Sequence, residues 1–81
     1  MKKVVITGTF NNFDRLELAK RLKKMGSDND KTVTERTAFV VVGKGPGPAK
    51  IKKVKELQAQ GKDIKIISEE ELIEIFNKFN N

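Results

Sequence analysis

The 81-residue sequence contains no cysteine, histidine, tryptophan or tyrosine. Without cysteine and histidine, it offers no Cys/His zinc site, no thiol nucleophile and no Ser-His or Cys-His relay. The absence of cysteine also excludes a disulfide framework, so nothing indicates a secreted scaffold. The longest apolar run is the five residues Ala38–Val42, too short for a membrane span, and Val4–Ile6 is too short for a signal-peptide core. We therefore expect a cytoplasmic domain with no membrane segment, metal or cofactor.

The charge is strongly positive, with 17 lysines and arginines against 11 acidic residues and a net charge of +6. This balance favours a polyanionic partner, and the length predicts one small domain over residues 1–81. The excess is uneven: Lys44–Lys62 holds six lysines and one glutamate, whereas Ser68–Asn81 holds four glutamates and one lysine. A lysine-rich helix is often only a solvated face, so this pattern alone leaves the two interpretations evenly balanced.

Apolar runs and helical spacings alternate along the chain. Strands are predicted at Val4–Ile6, Phe39–Val42 and Ile64–Ile67, and the polar segment Asp28–Thr34 is a weak strand or a loop. Helices are predicted after the N-cap residues Asp14 and Ser68, each with a glutamate three positions on, and from Pro48. Leu18, Leu22 and Met25, with Ala19, recur at helical spacing in the first helix, and Ile51, Val54, Leu57 and Gln58 mark one face of the second. In the third helix, the residues expected to pack inward are Leu72, Ile73, Phe76 and Phe79.

The order β-α-β-β-α-β-α predicts an α/β fold with a four-stranded parallel sheet covered on both faces by three helices. Ligands of such open sheets bind beyond the carboxyl ends of the strands, where the strand order reverses. The two segments expected there are residues 7–12 and 43–50.

Three motifs are better explained by structure than by chemistry. Gly43–Pro48 lacks the spacing of a nucleotide phosphate loop, and its two prolines remove backbone N–H donors, so we interpret it as a rigid turn. The segment that starts at Asp28 lacks the glycine and the glutamate that a calcium loop needs at its sixth and twelfth positions. Glu69–Glu71 is explained by the positive end of a helix dipole.

Four residues converge on the strand ends where ligands are expected. The Thr7 hydroxyl and nearby backbone N–H groups can bind phosphate oxygens, and Gly8 permits close backbone approach. Arg15 and Lys50 open the helices that follow, and both side chains suit phosphate. Thr7-Gly8 alone is only a strand-end turn; its combination with the two cations favours a phosphate site.

The same residues resemble those of a BRCT domain over essentially the whole chain. The resemblance rests on Val4–Phe10, on Arg15 in a helix that ends at Gly26, on Thr37–Gly43, on Lys50 with Lys53, and on Ile64–Leu72. It is closest to the single BRCT domains of bacterial NAD-dependent DNA ligases and of the large subunit of replication factor C.

In that subgroup, the resemblance implies a pocket for a DNA 5′-phosphate formed by Thr7, Gly8, Arg15 and Lys50. The chain is then a non-enzymatic phosphate-recognising module that binds 5′-phosphorylated DNA ends or nicks in replication or repair. An auxiliary basic surface is expected at Lys44, Lys52, Lys53 and Lys55.

The resemblance leaves a second function open, a protein–protein adaptor that binds a phosphopeptide or docks through a helix face, with other replication or repair proteins as partners. We expect a monomer as an isolated domain and, in a bacterium, association with the nucleoid. Such modules commonly lie within larger proteins, so the chain is compatible with a fragment of one.

Overall fold

The computed structural model describes residues 2–80 and has the predicted element order. Four strands and three helices follow one another as β1 (Lys2–Thr7), α1 (Arg15–Lys24), β2 (Ser27–Asp30), β3 (Thr37–Val42), α2 (Pro48–Ala59), β4 (Lys65–Ser68) and α3 (Glu69–Asn80). All paired strands are parallel, and their order across the sheet is β2-β1-β3-β4. The predicted α/β fold is confirmed, and the uncertain polar segment forms an edge strand.

Each face of the sheet carries its own apolar cluster. Alternate residues of β1 point to opposite faces: Val4 and Ile6 pack with α1 and α3, whereas Val5 packs with α2. The first cluster is completed by Phe10, Leu18, Leu22, Val41, Leu72 and Phe76, and the second by Val33, Val40, Val54, Leu57 and Ile64. The helices that follow β1 and β3 therefore lie on opposite faces, and both begin at the same edge of the sheet.

The helix ends have the predicted caps. Asp14 Oδ1 accepts the N–H of Glu17 at 2.7 Å, and Ser68 and Glu71 bond each other's backbone N–H groups at 3.2 and 3.4 Å. Pro48 occupies the first turn of α2, where no intrahelical donor is needed. No helix within residues 2–80 has the length and hydropathy to cross a membrane.

One expected core residue is exposed. Leu72 and Phe76 of α3 are buried, but the side chain of Phe79, predicted to pack inward, is 58% exposed. Phe79 keeps the helical spacing of the buried residues, but it lies in the last turn of α3, past the apolar cluster of that face. Helical periodicity therefore predicted correctly which side of α3 faces the sheet, but it overestimated how far along the helix the buried part extends.

Candidate functional site

The strand order reverses between β1 and β3, and the two loops at this point are joined by their backbones. Thr9 and Lys44 exchange N–H···O bonds of 2.8 and 2.7 Å, and the Gly43 N–H donates to the Thr7 carbonyl at 2.9 Å. A side chain at Gly8, whose φ is +91°, would place its Cβ 2.9 Å from the Gly43 carbonyl carbon. Backbone therefore fills the space directly between these strand ends, and a ligand must bind beside it.

An open cleft lies next to this junction, at the carboxyl ends of β1 and β2. Its volume is ≈ 460 Å³, and its walls are Ile6, Arg15, Asn29, Asp30, Lys31 and Lys50. Arg15 is the first residue of α1 and Lys50 is the third residue of α2. Because these helices cover opposite faces of the sheet, the two cations approach the cleft from opposite sides.

Arg15 is held by the loop that precedes it. The Asp14 cap fixes the start of α1, and the Arg15 Nη2 donates to the Gly8 carbonyl at 3.4 Å. This contact is long, and the side chain is exposed. The guanidinium therefore keeps most of its donors for a ligand.

Lys50 is positioned through Thr7 and Gly47. The Thr7 Oγ1 accepts the N–H of Gly47, the N-cap of α2, at 2.9 Å. The Lys50 N–H donates to the Gly47 carbonyl at 3.1 Å, and the Lys50 Cγ and Cδ lie 3.9 Å from where a Gly47 Cβ would be. The Thr7 side chain thus ties the end of β1 to the helix that carries Lys50.

The four predicted phosphate residues are therefore connected, but in different ways. Arg15 and Lys50 line the cleft. Thr7 is only 2% exposed, and its oxygen is already an acceptor, which leaves the hydroxyl hydrogen as its remaining donor. Gly8 serves the close packing of the two loops, and its carbonyl supports Arg15.

The auxiliary lysines lie outside this cleft. Lys44 is exposed and bridges to Thr9 by its backbone, and Lys53 is exposed on α2. Lys52 and Lys55 flank a separate groove of ≈ 740 Å³ on the outer side of α2, lined also by Pro46, Pro48, Ile51, Glu56 and Ala59. The basic residues of α2 therefore form more than one surface.

Sequence reasoning missed the third wall of the cleft, Asn29–Lys31. Asn29 and Asp30 end β2, beside β1, and Lys31 follows directly; the sequence shows that this segment is polar but not that it pairs with β1. Lys3 Nζ lies 2.9 Å from the Asp28 Oδ2 and 3.8 Å from the Asp30 Oδ1. The hydrogen bond and opposite charge lower the pKa of Asp28 and raise the pKa of Lys3.

The positive charge is also not confined to α2. Helix α1 carries Arg15, Lys20, Arg21, Lys23 and Lys24 against the single acidic residue Glu17. The Arg21 guanidinium lies 5.4 Å from the ring centres of both Phe13 and Phe76, and its Nη2 lies 3.3 Å from the Glu17 Oε1. Arg21 is thus engaged within the fold, whereas the three lysines are exposed.

The first residue of α3 makes long-range contacts that its position in the sequence did not indicate. The two carboxylate oxygens of Glu69 accept the N–H groups of Asn11 and Asn12 at 3.1 and 2.7 Å, and the Asn12 Nδ2 donates at 3.1 Å. The backbone bond from Asn12 is the largest cause of a lowered pKa at Glu69, followed by the bond from Asn11. Within residues 2–80, no group of three or more His, Cys, Asp or Glu residues could hold a metal ion.

Comparison with known proteins agrees with this architecture. A family model described as "BRCA1 C Terminus (BRCT) domain" matches residues 2–76. Proteins named DNA ligase from Clostridium novyi and Flavobacterium johnsoniae are 40% identical over 70 residues and 36% identical over 77 residues, which cover 86% and 95% of this chain. The chain spans only 10% and 11% of the length of these two relatives. The parallel sheet, its three helices and the match over residues 2–76 show that the chain belongs to the BRCT domain family.

Proposed function

We propose that this domain binds a phosphate group of DNA, at a 5′-phosphorylated end or nick, and that it does so without catalysing a reaction. The observation that carries the proposal is the meeting of Arg15 and Lys50 in one cleft at the carboxyl ends of β1 and β2. Two cations on separate helices fix the position of an anion between them better than a run of lysines on one helix does.

The two cations that line the cleft and the two residues that support them have complementary roles in this proposal. The Arg15 guanidinium offers a planar pair of N–H donors to two phosphate oxygens, and the Lys50 ammonium supplies a point charge. Thr7 holds Lys50 through Gly47 and has one hydroxyl hydrogen left for a phosphate oxygen. Gly8 completes the site by allowing the close contact of the two loops.

The relatives favour a place in DNA metabolism, since their names are those of DNA ligases. We propose that residues 1–81 act as one recognition domain, monomeric when isolated, within a larger replication or repair protein. In a bacterium this domain would act in the cytoplasm, on the nucleoid. The net charge of +6 and the exposed lysines of α1 and α2 would add attraction to the DNA backbone that does not depend on sequence.

A fluorescence titration with three probes tests the proposal: a duplex with a 5′-phosphate, the same duplex with a 5′-hydroxyl, and a phosphoserine peptide. We expect the phosphorylated duplex to bind most tightly, and binding of both duplexes to weaken steeply when salt is raised. Equal affinity for the two duplexes would refute the proposed pocket.

Two variants test whether the preference for a 5′-phosphate arises in the cleft. Arg15→Gln should reduce affinity for the phosphorylated duplex by roughly 10- to 150-fold, because a charge-assisted hydrogen bond contributes about 1.5–3 kcal/mol. Lys55→Gln removes the same charge from the outer side of α2, outside the cleft, and should weaken both duplexes equally. A loss with Lys55→Gln that is as selective for the 5′-phosphate as the loss with Arg15→Gln would contradict the assignment.

The groove on the outer side of α2 favours a second candidate function, that of an adaptor. Its apolar wall contains Ile51, which is only partly buried, and its rim carries Lys52 and Lys55. This combination fits a segment with acidic and apolar side chains, such as a partner helix. Binding of the phosphoserine peptide but not of either duplex would favour an adaptor that uses the phosphate cleft. A partner interaction lost in the double variant Lys52→Glu/Lys55→Glu would instead favour this groove.

A further inference from the structure

Three consecutive glutamates begin α3, and the structure gives each a different environment. Glu71 caps the helix by bonding the N–H and hydroxyl of Ser68 at 3.4 and 3.1 Å, and Glu70 is exposed. Glu69 instead reaches a segment 57 and 58 positions earlier in the chain, where it accepts three hydrogen bonds from Asn11 and Asn12. The helix dipole explains acidic residues at this end of α3, but it does not explain a carboxylate bonded to two backbone N–H groups of another loop.

The segment that Glu69 holds is the loop between β1 and α1, and this loop carries Arg15. Gly8 to Arg15 line a cleft of ≈ 550 Å³, and Arg15 also lines the proposed phosphate cleft. Two residues separate Asn12 from Arg15, and one of them, Asp14, caps α1. The Arg15 guanidinium contacts the loop a second time at the Gly8 carbonyl. A shift of this loop would therefore move both supports of the guanidinium.

Other contacts anchor the two ends of the loop, and Glu69 holds its centre. The Thr9–Lys44 bridge fixes the end next to β1, and the Phe13 ring packs edge-on against Phe76 with their centres 5.4 Å apart. Between these anchors, Asn11 and Asn12 are exposed. The contacts described for their backbone N–H groups are those with Glu69.

From this arrangement we infer that Glu69 is a positioning residue for the phosphate site: its carboxylate holds the β1–α1 loop in the conformation that directs Arg15 into the cleft. The inference rests on the proposed function, since it names a residue that sets the selectivity of the same cleft. Glu69 does not contact the phosphate; it acts through the loop and Arg15. A negative residue thereby supports the binding of a negative ligand.

Two substitutions separate the geometry of Glu69 from its charge. Glu69→Gln keeps the length of the side chain but replaces one acceptor oxygen with an amide donor, which opposes a backbone N–H. Glu69→Asp keeps the charge but shortens the side chain by one methylene. Glu70→Gln removes the same charge from the next, exposed position and is the matched control.

The readout is the ratio of affinities for the 5′-phosphorylated and 5′-hydroxyl duplexes, measured beside amide hydrogen exchange of Asn11 and Asn12. We expect Glu69→Gln and Glu69→Asp to speed exchange at both amides and to lower the affinity ratio by about 3-fold or more. Glu70→Gln should change neither. Adding Glu69→Gln to Arg15→Gln should lower the ratio no further, because Glu69 acts through Arg15.

Three results would overturn the inference: faster amide exchange with an unchanged affinity ratio, an equal loss of the ratio in Glu70→Gln, or independent losses in the double variant. A wild-type ratio of one would refute the proposed function as well. In that case the exchange of Asn11 and Asn12 still shows whether Glu69 holds the loop, so the two failures can be told apart. Protection of the β1 and β3 amides in every variant shows that the sheet remains folded.

Discussion

Replacing Thr7 with valine removes the side-chain contact that ties β1 to the start of α2. The hydroxyl is buried, and its oxygen accepts the Gly47 N–H at 2.9 Å. Valine replaces the hydroxyl with a methyl group, so the main change is that the partly buried Gly47 N–H loses its acceptor. A buried donor without a partner costs about 1–3 kcal/mol, and the added methyl group offsets up to about 0.8 kcal/mol of that. We therefore expect Thr7→Val to lower the free energy of unfolding by about 1–2 kcal/mol.

Thermal unfolding and amide hydrogen exchange measure this effect. For a domain of this size, the expected loss corresponds to a decrease in Tm of roughly 4–16 °C. Thr37→Val is a matched control, since Thr37 is 3% exposed and its Oγ1 accepts the Thr34 N–H at 2.9 Å. Both variants should be less stable, but only Thr7→Val should speed exchange at Gly47. Unchanged stability of Thr7→Val, or a Gly47 amide as protected as in the wild type, would refute this role of Thr7.

Three further predictions follow from contacts elsewhere. Gly8→Ala and Gly26→Ala both place alanine at positive φ, but only the Cβ at residue 8 meets backbone at 2.9 Å. Gly8→Ala should therefore lose more stability than the roughly 1–2 kcal/mol expected for Gly26→Ala. Equal urea midpoints of the two variants would contradict this. The pKa of Glu69 is lowered in the folded protein, so the stability it contributes is present above the ordinary value of 4.5 and is lost as the pH falls through the lowered value. Glu69→Gln should therefore lose less stability than the wild type when the pH is lowered from about 6 to about 3. Urea midpoints of the two proteins that fall in parallel over this range would contradict this. Asp30→Asn removes a negative charge from the cleft and should strengthen binding of the phosphorylated duplex by about 2- to 5-fold in the same titration, whereas weaker binding would show that Asp30 contacts the ligand favourably.

The fold was predictable from the sequence because each apolar pattern fits only one kind of secondary structure here. The runs Val4–Ile6 and Phe39–Val42 are apolar at every position, as expected for strands that are covered on both faces. The caps at Asp14 and Ser68 marked two helix starts correctly. Periodicity does not show where a tertiary partner ends, which is why Phe79 was wrongly expected to be buried.

The candidate site was predictable only in part. The rule that ligands bind beyond the carboxyl ends of the strands indicated Arg15 and Lys50, and both residues line one cleft. The same rule could not indicate Asn29–Lys31, because the pairing of β2 with β1 is set by tertiary structure and cannot be read from the local sequence. It also could not separate Glu69 from its two neighbours, since the contacts of Glu69 reach the β1–α1 loop from the far end of the chain.

The most direct test of the central claim is a double-mutant cycle on Arg15 and Lys50, measured with the 5′-phosphorylated and the 5′-hydroxyl duplex. If both side chains bind one phosphate, Arg15→Gln and Lys50→Gln should be non-additive by at least about 0.5 kcal/mol on the phosphorylated duplex. On the 5′-hydroxyl duplex, their effects should add to within about 0.3 kcal/mol. Additive losses on both duplexes would contradict the claim, because they would show two independent contacts with the DNA backbone and no shared phosphate site.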